Sequence, residues 1–562
     1  MRIFVPFLVL AGSLAAAAAP PRVVFESPLD KVFLDEQPPA GRPAWRVEMA
    51  RGEGESFQLL ITAGGGGLKG VTVENALAGR GLSVELSLVG YVRTQPGDRR
   101  PWAKTEKVGK IGWWPDPLLP NRPFDVAAGE TQPVWVNVFA APGTPAGEYK
   151  GTLRVRFGTG KPRGMPYRVR VWDVDLPQRQ QLRNAAFMSP QSLYAHYRTP
   201  GGIDGDEFFS IYKRWVRKAF ALHLGPTLDM LMGWVQTTRP AASEELSGRA
   251  AHLSWPVRWK EGYDFARVDE LVEIGRPYGM RQFGIAIFDR REPWERHTAT
   301  MKAELAAYLR SYAGHLRGRG MLQEAYVYNA DEPPKEMWDT VRKNYQFVKD
   351  TVPDLKTWLC LNEPGGVEAL KGSTDIWDVY IRQYDKSGIR SRQQAGDQVI
   401  WAVCVWPHEH PNLFIEYPAA DARMIGWLTY RYGTAGLEYW SLNSWGKNQG
   451  TLKWADFEKG GTRTAWQPTR WPWGDGFLLY PGVSGEPLSS VRFENLRDGF
   501  EDAELLLQLD ALGRREEAQR IAGLIAPSID RYAGSWDPLA DARRSLLEAL
   551  AAGRPKNAGA PR

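Results

Sequence analysis

The sequence predicts an α/β protein: a (β/α)8, TIM-like barrel set between an N-terminal antiparallel β-sandwich and a C-terminal helical cap. Three observations carry this expectation. From Arg22 to about Pro177 the chain is a series of short β runs divided by Gly and Pro. From Leu182 a strand-then-helix rhythm repeats eight times over about 260 residues, the count and size of such a barrel. From Val491 the chain turns helical and charged, and it stays so to about Leu550.

Length and composition bound the answer. At 562 residues the chain is too long for one core. With 43% hydrophobic and 24% charged residues, wholesale disorder is excluded. The net charge of +6 is a small difference between 71 basic and 65 acidic residues, and no Lys/Arg-rich run occurs, so no nucleic-acid partner is expected. A mildly basic surface would suit an acidic polysaccharide. The 24 Trp, 21 Tyr and 21 Phe mostly fill cores, but several fall at predicted strand ends, where flat rings cover the C–H faces of sugars.

In chain order, residues 1–19 read as a signal peptide: Arg2, an apolar stretch from Ile3 to Leu10, then small residues to Ala19. No other apolar run approaches the roughly 18 residues of a membrane span, so a secreted or periplasmic location is expected. Residues 20–178 form the predicted sandwich, in which L-S-V-E-L-S-L-V-G-Y-V, P-V-W-V-N-V-F and Y-R-V-R-V-W-D-V alternate. Gly64 to Gly67 is a loop, because no phosphate-binding Lys-Ser/Thr follows it. The stretch P-W-A-K…G-W-W-P-D-P-L-L-P reads as a long loop, either packed down or reaching over the neighbouring cleft.

Residues 179–485 form the predicted barrel. Its helices are expected at 206–222, 264–278, 298–317, 335–351 and 420–432. No Gly-rich dinucleotide turn follows the first strand, which disfavours a doubly wound sheet. Residues 486–552 form the helical region and 553–562 a disordered tail. Cys360 and Cys404 each lie in a predicted buried strand and read as free thiols, with a single bridge as the other reading.

The chemistry centres on Glu324 to Pro334, E-A-Y-V-Y-N-A-D-E-P-P, where a strand hands over to a helix at Asp331 and Glu332. Neighbouring side chains on a regular strand point to opposite faces, so both acids serve one ligand only if the chain bends there. Pro333 biases Glu332 toward extended geometry. An ordinary helix start, with acids complementing the helix dipole, is the competing reading. No G-x-S-x-G elbow exists and both cysteines sit mid-strand, so serine or cysteine catalysis lacks support. His408-Glu409-His410 is the lone metal candidate, bracketed by prolines and without a third ligand at motif spacing, so neither metal nor cofactor is expected. Asp289 closes the third strand and faces either the cleft or its neighbours Arg290 and Arg291. Carboxylates in an aromatic-lined pocket point to glycosidic bond cleavage. No second strand end offers so clear an acid, and a vicinal Asp-Glu pair suits attack by the substrate's own 2-acetamido oxygen.

Four segments in order carry a resemblance: Y-N-A-D-E-P in the fourth strand, G-L-E-Y-W-S-L-N-S-W in the eighth, then G-D-G-F-L-L-Y-P-G and R-F-E-N-L-R-D-G-F-E-D-A-E. Together they resemble glycoside hydrolase family 123 and its relatives, exo-acting β-N-acetylgalactosaminidases, over roughly Leu182 to Leu512. The resemblance implies a glycan partner with a terminal 2-acetamido sugar, cleaved with retention through an oxazolinium intermediate. It implies Glu332 as general acid and base, and Asp331 as the carboxylate that orients the acetamido N–H. Trp440, Asn443 and Trp445 match the eighth-strand segment and are expected to line the sugar site, as is Tyr328 in the fourth. Tyr384 and Trp406 join them by position, at the ends of the sixth and seventh strands. Arg492 and Asp498 are read as structural, joining cap to barrel. Two alternatives remain open: a hydrolase of another hexosaminide or an acidic polysaccharide using Asp289 as second acid, and a non-catalytic glycan-binding protein. Galacto against gluco preference, linkage and oligomeric state are left open by the sequence.

Overall fold

The computed structural model describes residues 20–77, 79–93, 110–203, 205–226, 263, 265–280, 283–285, 293–405, 411–445, 461–464 and 474–553. Alternation of buried and exposed side chains builds two N-terminal sheets. The strands are β1 (Arg22–Glu26), β2 (Trp45–Arg51), β3 (Gly54–Thr62), β4 (Leu68–Asn75), β5 (Leu82–Arg93), β6 (Trp113–Pro120), β7 (Phe124–Val126), β8 (Thr131–Ala140), β9 (Gly147–Arg156) and β10 (Arg163–Asp175). One sheet runs β1-β3-β8-β5 with β6 also on β5, and the other runs β2-β10-β9-β4-β7. Facing rings join them: Phe57 of β3 lies 5.9 Å from Trp45 of β2 and 5.5 Å from Tyr167 of β10.

Strand β6 corrects the sequence reading, because W-W-P-D-P-L-L-P was expected to be loop. It pairs antiparallel with β5, from Ser87↔Pro120 to Arg93↔Trp113. Pro115, Pro117 and Pro120 have no N–H to donate, which a strand with β5 as its one ladder partner tolerates.

Beyond the linker, β11 (Ala185–Ala186), β12 (Phe283–Ile285), β13 (Ala325–Asp331), β14 (Lys356–Cys360), β15 (Ile376–Tyr380), β16 (Gln398–Ala402) and β17 (Leu437–Tyr439) form one parallel sheet, ordered β11-β17-β16-β15-β14-β13-β12. Pro226 adds a parallel bridge to Ala186. This is the order a (β/α)8 ring requires; the junction that would close it, between Pro226 and β12, falls on residues outside the described set. The sheet curls strongly. Ala185 on its first strand shares a buried cluster with Tyr326, Trp358, Ile376 and Ile400, and Phe187 packs 5.5 Å from Tyr328. Those side chains line the concave face, whereas Trp401 turns outward and donates to Thr429 of the helix Ala419–Tyr432. Helices Asp206–Ala221, Ala299–Gly318 and Trp338–Thr351 lie within a few residues of their expected bounds.

Later segments tie the parts together. Strand β18 (Arg463–Thr464) returns to pair with β5, and β19 (Tyr480–Pro481) pairs with β20 (Pro487–Leu488). Helix Val491–Ala511 starts at Ser490, whose hydroxyl accepts from Phe493 N–H. Although rich in charge, its first sixteen residues are all buried. Arg492 binds Asp116 of β6 and the carbonyls of Leu413, Gly474 and Phe477. Gly426 and Gly499 let this helix meet Ala419–Tyr432 at backbone contact: a Cβ on Gly426 would stand 1.9 Å from the Gly499 carbonyl oxygen.

A buried ionic network joins strand β3 to these helices and to Trp536–Ala552. Arg423 binds Asp502, Asp498 and Glu55, while Arg543 binds Glu53, Glu55 and Asp502. Oxygens of Glu53, Glu55 and Asp502 lie within 4.8 Å of one another, and the two guanidinium groups supply the positive charge there. Among the described residues no helix is long and apolar enough to cross a membrane. Cys360 and Cys404 are both free thiols.

Candidate active site

Strand register brings the acids together. Along one row of the parallel sheet, Asp331 pairs with Cys360, Cys360 with Asp378 and Asp378 with Ile400. Along the next, Tyr380 pairs with Ala402, Ala402 with Glu438 and Glu438 with Ala185. Paired residues share a face, and Ile400 and Ala185 lie in the concave cluster, so Asp331, Asp378, Tyr380 and Glu438 all face the concave side near the carboxyl ends of the strands.

Two irregularities let Glu332 join them. The register with β14 shifts between Tyr328 and Ala330, and Glu332 takes φ +48°, a left-handed conformation. The sequence predicts extended geometry before Pro333, and the structure overturns this. A left-handed turn at a non-glycine residue costs on the order of 1–2 kcal/mol and is held only where surroundings over-determine it. Here Glu332 N–H donates to the Cys360 carbonyl at 3.1 Å, and its carboxylate is gripped from two sides. Oε1 accepts from Tyr380 Oη at 2.7 Å and from Asn362 Nδ2 at 2.7 Å. Asp331 Oδ1 accepts from Tyr328 Oη at 2.9 Å. Glu332 is exposed and Asp331 half-buried, so the turn carries one acid toward solvent while the other stays against the sheet.

The surroundings are electronegative. Asp378 is fully buried, and neither carboxyl oxygen makes a hydrogen bond of ordinary geometry. Burial, reinforced by Asp331 and Glu332 and partly offset by the Trp358 indole, pushes its carboxyl well above the usual range. Burial likewise raises Cys360 and Tyr328, and the leading charges acting on both are again acids: Asp331, Asp378 and Glu438.

The other expected residues divide. Tyr328 is at the site. Trp440 is half-buried, donates its indole N–H to Asp475 at 2.9 Å and is wedged by Gly476, whose Cβ would stand 2.1 Å from the ring. Asn443 is not available to a sugar: its amide exchanges hydrogen bonds with both backbone groups of Ser189, at 2.8 and 2.9 Å. Trp445 is buried against Trp215, with its N–H on the Leu479 carbonyl. Tyr384 is buried on the outer side of the sheet against Trp401 and Tyr432, bonded to Gln393 and the Tyr432 carbonyl. Its placement by strand number failed because a short 3-10 turn, Ile381–Gln383, follows β15 and turns it toward the helices. Trp406, Asp289 and His408-Glu409-His410 lie outside the described residues.

Sequence reasoning missed Asn362, Asp378, Tyr380, Cys404 and Glu438 as site residues. For Asp378 and Tyr380 a signal existed: alternation in I-W-D-V-Y sets Ile376, Asp378 and Tyr380 on one face, and an acid inside a buried strand is rare without a function.

Adjacent carboxylates at the carboxyl ends of a curled parallel sheet suit the acid-base chemistry of glycosidic bond cleavage. Residues 257–509 match the family profile described as glycoside hydrolase 123, catalytic domain. The fold of the chain is that of a family 123 glycoside hydrolase from Clostridium perfringens, studied for glycolipid glycan hydrolysis: TM-score 0.66 at 14% identity, covering 95% of this chain and 98% of that one. A Bacteroides ovatus GH5 xyloglucanase aligns at TM-score 0.31 and 9% identity over 81% and 98% of the two chains. A family 39 glycoside hydrolase from Bacteroides cellulosilyticus aligns at 0.32 and 11% over 84% and 82%. No curated protein matches this chain.

Proposed function

We propose that this chain is a secreted or periplasmic, exo-acting hydrolase that removes terminal β-linked N-acetylgalactosamine with retention of configuration, using the substrate's acetamido group as nucleophile. The carrying observation is the turned backbone at Glu332, which frees two sequence-adjacent acids from the opposite-face rule of a strand. Both carboxylates act on the same buried neighbours, Asp378 and Cys360, so both reach one region.

In this reading Glu332 protonates the leaving oxygen and then takes a proton from water. Asp331 accepts from the acetamido N–H and offsets positive charge on the ring. The acid-rich concave face favours that charge as it develops at the anomeric carbon. Trp440, half-exposed and braced by Asp475, offers a ring face for the sugar.

A panel of aryl β-hexosaminides and β-galactosides tests this. Turnover of the N-acetylgalactosaminide, with the β-galactoside inert, is the expected result; equal turnover of both would rule out acetamido participation. Glycolipid glycans ending in that sugar are the natural substrates to try first.

A further inference from the structure

Glu332 offers two oxygens, and the protein engages them unequally. Oε1 receives Tyr380 Oη and Asn362 Nδ2, both at 2.7 Å, which uses both of its lone-pair directions. Neither donor can easily turn away. Asn362 Oδ1 takes the Tyr380 backbone N–H at 3.3 Å, so the amide nitrogen faces Glu332. Tyr380 has one hydroxyl proton. Once donated to Glu332, the phenol oxygen is left as acceptor toward Cys404 Sγ, 2.9 Å away, and the thiol hydrogen points at Tyr380.

We infer that Tyr380, Asn362 and Cys404 are positioning residues that pin Oε1 of Glu332 as a fixed acceptor and leave Oε2 as the oxygen that carries the exchanged proton. The inference rests on the reading of Glu332 as general acid and base. In the first step Oε2 gives its proton to the glycosidic oxygen as the bond from that oxygen to C1 breaks and the acetamido oxygen bonds to C1. In the second, Oε2 takes a proton from water as the water oxygen bonds to C1 and the acetamido oxygen leaves. Throughout, Oε1 keeps its two donors, so the carboxyl plane does not rotate between steps. Burial, with Cys404 and Glu332 adding to it, raises the Tyr380 phenol, which keeps its proton on the ring oxygen and in the donor role.

Two measurements decide the matter. In the first, kcat/KM is followed over a series of β-N-acetylgalactosaminides with leaving groups from dinitrophenol to simple alcohols. Tyr380→Phe is expected to lose roughly tenfold or more with alcohols and little with dinitrophenol, because only poor leaving groups need a placed proton. Cys404→Ser, which keeps a donor, should restore what Cys404→Ala loses. An equal loss of Tyr380→Phe across the series marks a structural role and overturns the inference. The second measurement needs no turnover: crystal structures of the Tyr380→Phe and Asn362→Ala proteins, in which the Glu332 carboxyl plane, having lost a donor to Oε1, should turn from its wild-type orientation. Should wild type cleave none of the hexosaminides, the substrate reading falls and this comparison still decides the clamp; an unchanged carboxyl plane in both variants sinks it.

Discussion

Arg492 and Asp116 pair two oxygens to two nitrogens, at 2.9 and 2.8 Å, and solvent reaches neither. The arginine starts a C-terminal helix and the aspartate sits in a proline-rich strand of the N-terminal sheets, 376 residues earlier. Removing one partner from such a buried pair leaves a charge without compensation. Asp116→Ala is expected to cost about 3–5 kcal/mol in urea unfolding, and Arg492→Lys to rescue little, since an ammonium cannot reproduce the two-pronged contact. A loss below about 1 kcal/mol would mean that water enters and screens the arginine.

At the acids, Glu332→Gln should lower kcat/KM for substrates with poor leaving groups by roughly 10²–10⁴-fold, and less with activated aryl groups. Asp331→Asn should lower both by about 10²–10³-fold, because charge on the ring develops whatever the leaving group. Near-native circular dichroism must accompany both results. Identical losses for both variants on every substrate would contradict the division of roles.

The meeting of Gly426 with Gly499 leaves no room for a methyl group. Gly426→Ala would place a carbon 1.9 Å from a main-chain oxygen, and two backbones rather than a flexible side chain must move apart. An expected loss of about 3 kcal/mol or more follows, read as a fall in Tm. Gly314→Ala, on an open face with nothing near its Cβ, is the control and should be neutral or slightly stabilising.

Burial pushes Glu53 up to about 7, with Arg543 opposing and Glu55 and Glu501 adding to the rise. A carboxyl that holds its proton more tightly folded than unfolded adds stability in full below its ordinary value of 4.5 and loses it as pH rises through about 7. Glu53→Gln mimics the neutral form at every pH. Its stability relative to wild type should therefore increase by ~1 kcal/mol or more between about pH 5 and pH 8. Subtracting wild type removes the contribution of His223, which burial pulls down to about 4 and which acts in the opposite direction. A flat difference would show Glu53 ionised throughout.

Much of this was legible in the chain. The strand-to-helix handover at Asp331 and Glu332 stood out because prolines and a charged pair interrupt an aromatic run, and local chemistry of that kind does not depend on distant contacts. Helix positions followed from apolar periodicity. What escaped was set by tertiary context. The W-W-P-D-P-L-L-P segment reads as loop until β5 supplies a partner that asks little of its missing N–H groups. Asn443 and Trp445 belong to a conspicuous aromatic segment, yet their polar atoms are consumed by Ser189 and Leu479, contacts no spacing rule reveals. Tyr380 closes β15 and Asn362 follows the end of β14, and they meet Glu332 only because register sets those strand ends side by side.

The ionic network has a consequence for how this protein can be divided. Glu53, Glu55 and Asp116 come from the N-terminal sheets, while the arginines they neutralise, Arg423, Arg492 and Arg543, lie on helices of the later part. Excising residues 257–509 alone would remove Arg543, strip Glu55 from Arg423 and leave the buried Arg492 guanidinium without the Asp116 carboxylate. The catalytic half is thus no portable cassette: recombination or engineering that swaps the leading sheets must carry matching acids with them.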